Sequence, residues 1–235
     1  MLGMLLDFEW YRDSAGYRLV RSRSWVPAGH SPESYPDEDW IVARGGKWVP
    51  YRPFEHFETL YAVFANVRTK DDLLSFIQKF GPLSRAGFAF GESGPEPVPG
   101  GPTWGDSVPQ AVRAAQAFRD LLHLKRKGPK AIASYYASKV NNGSRFQPGA
   151  RWVGETDLIA DSNTGVRVKI STNLLISALW LQLGQKLSGD TNFQMCRQCG
   201  DWFETGALAG RRADARFCSD EHRIRFNSFK RTRGG

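Results

Sequence analysis

Four residues near the C-terminal end of the sequence have the types and spacing of a metal-ligand set. Cys196-Arg197-Gln198-Cys199 is followed by Gly200 and, with eighteen residues between Cys199 and Cys218, by Cys218-Ser219-Asp220-Glu221-His222. Two cysteines separated by two residues can close a tight turn, a knuckle, that aims both sulfurs at one point. Residues four apart on a helix share a face. Cys218 at a helix start and His222 one turn later can therefore converge on the ion that the knuckle holds. Three thiolates and one imidazole make a closed tetrahedral zinc site with no coordination position left for water, so its role is structural. One Zn2+ per chain is expected. Its binding would supply folding free energy on the order of 10 kcal/mol to a segment poor in apolar residues.

The cysteine count agrees with metal rather than disulfides. There are three, all between Cys196 and Cys218. An odd number in a chain whose first residues, Met1 to Asp7, lack the form of an export signal points to a reducing compartment. No stretch approaches the ~20 apolar residues of a membrane helix. The expectation is a cytoplasmic protein without a membrane partner.

Charge suggests the partner. Net charge is +8 and the sequence pI about 9.6, which favours a polyanion such as nucleic acid. From Arg223 onward there are five basic residues and no acidic one. Helical spacing places Phe226 and Phe229 on the face of His222, and Arg223, Asn227, Lys230 and Arg231 on the other. Arg211, Arg212, Arg216, Arg223, Arg225, Asn227, Lys230, Arg231 and Arg233 are the candidate nucleic-acid contacts, mainly to phosphates, which give affinity with little sequence information. Trp202-Phe203 and Arg216-Phe217 suit two short antiparallel strands joined across Gly206 to Asp214.

The run Cys196 to Arg233 resembles a treble-clef zinc finger: knuckle, hairpin, then a helix that opens with the second ligand pair. More narrowly, it resembles the CGNR zinc finger of bacterial ABATE-type proteins, regarded as stress-response transcription regulators. There the second knuckle reads Cys-Ser, two or three residues, then Cys-Gly-Asn-Arg and a basic helix. Here Cys218-Ser219 and Arg225 match, His222 stands in place of the cysteine, and Arg223-Ile224 in place of Gly-Asn. Phe217 and Lys230-Arg231-Thr232-Arg233 also agree. Upstream, Leu60 to Asn66 and Thr69 to Leu74 resemble the helical start of such proteins. The resemblance implies binding to double-stranded DNA and transcription regulation. A protein-interaction adaptor, its zinc module docking a protein, is the alternative.

The rest of the chain must position this module. Hydrophobic residues at 41% and eight tryptophans are enough for a real core. Tyr17 to Val20 and Trp40 to Ala43 read as short strands, with Gly45-Gly46 as a hairpin turn before Lys47-Trp48-Val49. Phe57, Leu60, Tyr61 and Phe64 recur at helical spacing. Thr69 caps a helix carrying Leu73, Phe76, Ile77 and Phe80, which Gly81-Pro82 ends. Residues 91 to 105 are rich in Pro and Gly and read as a linker. Asp106 or Ser107 caps a long helix to about Lys127, with Val112, Ala115, Phe118, Leu121 and Leu122 on its apolar face. A shorter helix carries Ile132, Tyr135 and Tyr136. Asp157 to Ala160 and Val166 to Ile170 form a hairpin. Thr172 can cap the last helix before the module, which Ser188-Gly189 closes.

The expected fold is α+β: a mainly helical scaffold or sensor domain with hairpins over residues 1–190, whose Trp- and Phe-rich composition suits a small-molecule effector or a protein partner, and a zinc module over residues 191–235. Phosphate-binding glycine loops, His-Glu-x-x-His and Gly-x-Ser-x-Gly are all missing from the sequence. With four histidines, one of them a zinc ligand, candidates for acid–base catalysis are few. A non-enzymatic protein is therefore expected. The basic run Lys125 to Lys130 reads as an ordinary helix end.

Overall fold

A computed structural model of the chain describes residues 4–6, 8, 10–21, 37–56, 59–84, 88–91, 94–97, 105–141, 154–161, 165–172, 174–189, 191–206 and 209–233. In chain order the elements are β1 (Met4–Leu6), β2 (Trp10–Asp13), β3 (Tyr17–Arg21), β4 (Asp39–Ala43), β5 (Trp48–Tyr51), α1 (Pro53–His56), α2 (Leu60–Ala65), α3 (Lys70–Phe80), β6 (Phe88–Gly91), β7 (Gly94–Pro97), β8 (Asp106–Ser107), α4 (Val108–Lys125), α5 (Pro129–Asn141), β9 (Gly154–Asp161), β10 (Gly165–Thr172), α6 (Leu175–Ser188), β11 (Asn192–Met195), β12 (Trp202–Thr205) and α7 (Asp220–Arg233). The class is mixed α and β, with helices around several small sheets.

Local chemistry explains the helices. Thr69 accepts the backbone N–H of Asp72 at 3.1 Å while the Asp72 carboxylate accepts the N–H of Thr69 at 2.9 Å, a reciprocal capping box at the start of α3. The residues expected on its apolar face, Leu73, Phe76, Ile77 and Phe80, are buried. Ser107 caps α4, accepting from the N–H of Gln110 at 3.3 Å, and Pro109 falls in the first turn, where its missing N–H costs nothing. Ala115, Phe118, Leu121 and Leu122 are fully buried on α4. Leu174 occupies the N-cap position of helix α6 without a side-chain capping bond, and Thr172, expected there, belongs to β10; Gly189 ends the helix. Lys125 spans the C-terminal end of α6, donating from Nζ to the carbonyls of Leu187 and Gly189, so its charge meets orphan carbonyls.

Sheet pairing upstream of residue 191 departs from expectation at two places. β3 pairs with β4 in antiparallel register, Tyr17 opposite Ala43, and β4 also pairs with β8. β5, however, pairs with β2 and not with β4. Gly45-Gly46 is thus the crossing point between two sheets, not a tight hairpin turn. The reason lies in Asp13, whose buried carboxylate accepts the N–H groups of Gly45 at 2.7 Å and Gly46 at 2.8 Å. A Cβ at Gly46 would sit 2.4 Å from that carboxylate oxygen, so only glycine allows the approach. The second departure is the stretch read as linker: Gly94–Pro97 pairs with Phe88–Gly91. Prolines at 95 and 97 are compatible with a two-stranded sheet because neither strand needs both edges. The β9–β10 hairpin forms as expected, Val166 opposite Ala160 and Val168 opposite Leu158, and β1 adds to it in parallel.

The core gathers on α2. Leu60, Tyr61, Phe64 and Ala65 are fully buried, between α4, α6 and β12. Phe64 meets Phe118 edge-on with centroids 5.2 Å apart and lies 5.2 Å from Phe76. Phe57, expected on the same helix face, lies outside the described residues. Phe193 of β11 and Trp202 of β12 belong to this same core.

Two measurements test this packing. Phe64→Ala should cost roughly 3–5 kcal/mol, read from the urea midpoint. Asp106 is buried and accepts from Leu83 N, Ser84 N and Ser84 Oγ, yet burial outweighs these donors and raises its carboxyl from 3.8 to about 6. A folded-state value above the unfolded one means that its contribution to stability is present below about pH 3.8 and lost as pH rises through about 6. Carbon NMR of the Asp106 carboxyl should show a midpoint near the raised value; an ordinary carboxylate midpoint would contradict the burial argument.

Candidate metal centre

Strand β11 leads into the knuckle and β12 leads out of it, so the Cys196–Cys199 turn is the tip of a hairpin. Phe193 pairs with Glu204 and Met195 with Trp202. The tip closes through Gly200 N–H to the Cys196 carbonyl at 2.9 Å and Cys196 N–H to the Asp201 carbonyl at 2.8 Å. Gly200 has φ +74, the left-handed conformation that glycine adopts without strain. Trp202-Phe203 therefore pairs with the segment before the knuckle, correcting the expected pairing with Arg216-Phe217. Residues 216 and 217 are not in a strand; instead the Arg216 carbonyl accepts the N–H of Arg197 at 3.0 Å.

The second ligand pair stands at the start of α7. Ser219 caps that helix: its hydroxyl accepts the His222 N–H at 3.2 Å, and its carbonyl accepts the Arg223 N–H at 3.2 Å. Asp220 and Glu221 occupy the first turn, where acidic residues oppose the helix dipole. Cys218 precedes the cap and His222 sits one turn in. Phe217 and Phe226, 5.2 Å apart, pack the helix against the segment that delivers Cys218. Phe229, expected with Phe226 on the ligand face, is 62% exposed.

Cys196, Cys199, Cys218 and His222 converge, with all four ligand atoms within 4.8 Å of one another. Cys199 Sγ lies 3.7 Å from Cys218 Sγ, and Cys196 Sγ lies 3.7 Å from His222 Nδ1. Tetrahedral zinc with bonds of about 2.3 Å to sulfur and about 2.0 Å to nitrogen gives S–S edges near 3.8 Å and S–N edges near 3.5 Å. Those two separations fit. The Cys218–His222 edge, 2.9 Å, is shorter and would open on ligation. The donor set, three soft thiols and an imidazole, suits zinc.

The thiols are not equivalent. Burial pushes the Cys196 thiol up, but the backbone N–H groups of Cys199, Cys218 and Gln198 aimed at its sulfur outweigh this and hold it near 6. Burial raises Cys199 to about 12, reinforced by the neighbouring sulfurs, and burial likewise raises Cys218. Crowding of three thiols discourages more than one negative charge, and a divalent cation reverses this by pairing with each thiolate.

Groups the sequence reading missed hold the knuckle against the core. Asn66, just after α2, accepts the Trp202 N–H at 2.9 Å and donates to the Trp202 carbonyl at 3.3 Å. Arg68 donates to the Gly200 carbonyl at 2.6 Å and lies 3.5 Å from Asp201. Behind them, buried Glu204 accepts from the Tyr61 hydroxyl and pairs with Lys186 Nζ at 3.1 Å. Only the buried tyrosine at helical spacing hinted at this in sequence; apart from Lys186 and Glu204, the partners lie more than a hundred residues apart.

The candidate nucleic-acid residues are disposed unevenly. Arg211 lies over the Phe203 ring at 5.5 Å. Arg212 pairs with Asp214, Arg223 with Asp220 and Arg225 with Glu221. Arg216 and Asn227 are exposed. Lys230, Arg231 and Arg233 continue α7, their side chains outside the described residues. No helix among the described residues is long and apolar enough to cross a membrane. Compared with known protein families, curated proteins and solved structures, the chain matches none.

Purified protein should carry about one zinc per chain, measured by mass spectrometry of the metal. Cys218→Ala should lose it, whereas His222→Cys should keep it. Ligation displaces thiol protons, so affinity should fall as pH drops from about 8 to about 5.5, with zinc release followed by a colorimetric chelator.

Proposed function

We propose that this chain is a zinc-dependent nucleic-acid-binding protein, a bacterial DNA-binding transcription regulator whose C-terminal module is a treble clef of the CGNR-like kind. The observation that carries the reading is the convergence of Cys196, Cys199, Cys218 and His222 at the root of a helix rich in basic residues. The knuckle at a hairpin tip and a ligand pair at a helix start support the treble-clef assignment. One structural zinc fixes the angle between knuckle and helix, and the closed ligand set offers no position for a substrate. Arg211, Arg212, Arg216, Arg223, Arg225, Asn227, Lys230, Arg231 and Arg233 then face the polyanion, chiefly double-stranded DNA. The ion pairs on Arg212, Arg223 and Arg225 are exposed, worth little, and can yield to phosphate. Residues 1–190 act as scaffold or sensor for an effector or partner, in the cytoplasm.

A second reading has its own observation. Met195, Ile224 and Phe229 are 52%, 60% and 62% exposed, a set of apolar side chains suited to docking a protein. Charge reversal at Arg223 and Lys230 separates the two, since nucleic-acid affinity should fall while protein docking is spared. The primary test is fluorescence anisotropy of zinc-loaded protein with random duplex DNA across a salt series. Salt-sensitive binding that fails after chelation is expected; absence of binding at low salt would overturn the regulator reading in favour of the adaptor.

A further inference from the structure

The cations of the module divide by what they touch. Arg223 and Arg225 each reach an acidic residue on their own helix, Arg212 reaches Asp214, and Arg211 lies over Phe203. Arg197 and Arg216 are exposed, and no ion pair joins either to an acidic side chain among the described residues. These two are also neighbours, through the 3.0 Å bond from Arg197 N–H to the Arg216 carbonyl. The same two segments meet again where the Cys218 N–H points at the Cys196 sulfur. Like charges carried on neighbouring segments repel, and an anion bound between them relieves that repulsion.

We propose that Arg197 and Arg216 form a phosphate-binding pair on the knuckle, seating the backbone of the nucleic acid. The proposal rests on the nucleic-acid reading above and shifts its main contact from helix α7 to the knuckle. The pair is built by the metal. Arg197 lies between two ligands, and Arg216 is two residues from a third, so zinc sets their separation. Guanidinium suits the task because its planar fork can give two parallel hydrogen bonds to one phosphate. Arg223 and Arg225 on α7 must first leave Asp220 and Glu221, whereas this pair has no acidic partner to give up among the described residues.

The test uses the full zinc-loaded chain and a random DNA duplex in a potassium chloride series. The double variant R197Q/R216Q should flatten the dependence of log Kobs on log salt by about 2, since each phosphate contact contributes about 0.9. R223Q/R225Q should flatten it by less than half as much. R197K/R216K, which keeps the charges, should retain the wild-type slope within about 0.5. Zinc content is measured on every sample; if the double glutamine variant loses zinc, the zinc-loaded single variants R197Q and R216Q decide, each flattening the slope by about 0.9 if the pair contacts phosphate and an unchanged slope in both overturning it. An unchanged slope in a zinc-loaded R197Q/R216Q protein overturns this proposal alone. Failure of the wild type to bind duplex DNA overturns it together with the reading on which it rests.

Discussion

Helix α2 is too short to stand by itself, and the placement of the Cys3His cluster depends on its burial. Six residues supply barely one hydrogen-bonded turn beyond nucleation, so an isolated α2 would not form. What holds it is the packing of Leu60, Tyr61, Phe64 and Ala65 between α4, α6 and β12. The same helix then holds the hairpin. Its Tyr61 meets Phe193 edge-on at 6.2 Å and reaches Glu204, and Asn66 at its end grips both backbone groups of Trp202. A buried carboxylate such as Glu204 is tolerable only because Lys186 and the Tyr61 hydroxyl both face it. The knuckle is thus fixed at two levels: an apolar face in the core and a polar grip at its base.

Much of the helical structure was legible because helices announce themselves locally. The Thr69 cap, the spacing of Leu73, Phe76, Ile77 and Phe80, and the Ser107 cap of α4 all lie within a few residues of what they determine. The strands were legible as strands, but their partners were not. Tyr17 to Val20 and Trp40 to Ala43 are short runs rich in aromatic and aliphatic residues. That β5 crosses to β2 depends on Asp13, some thirty residues away, drawing in Gly45 and Gly46. The pairing of Phe88–Gly91 with Gly94–Pro97 was hidden by prolines that penalise a central strand but not a two-stranded edge.

The metal centre divides in the same way. Its four ligands were readable from spacing, because a knuckle and a helical turn are both local geometries. The strand that pairs with Trp202 was not, because Asn192–Met195 is only four residues long, too short for its alternation to stand out. Asn66 and Arg68 were out of reach altogether, since no local signal marks an amide or a guanidinium that will meet a backbone 130 residues later. Composition was a coarser guide. A charge of +8 says that cations are in excess, not which of them already face a carboxylate.

The knuckle and the start of α7 are separated by a segment of eighteen residues between Cys199 and Cys218, whose ends meet at the ligands and at the bond from Arg197 N–H to the Arg216 carbonyl. A metal that grips both ends therefore acts as a removable cross-link, and its effect falls as much on the disordered chain as on the folded one. Joining the ends of such a loop removes conformational freedom from the unfolded ensemble, at a cost that grows only slowly with loop length. Insertions between Gly206 and Asp214 would on this account be well tolerated while the metal is held. The cross-link also needs no oxidant, so the chain gains in a reducing environment the kind of constraint that a disulfide gives elsewhere.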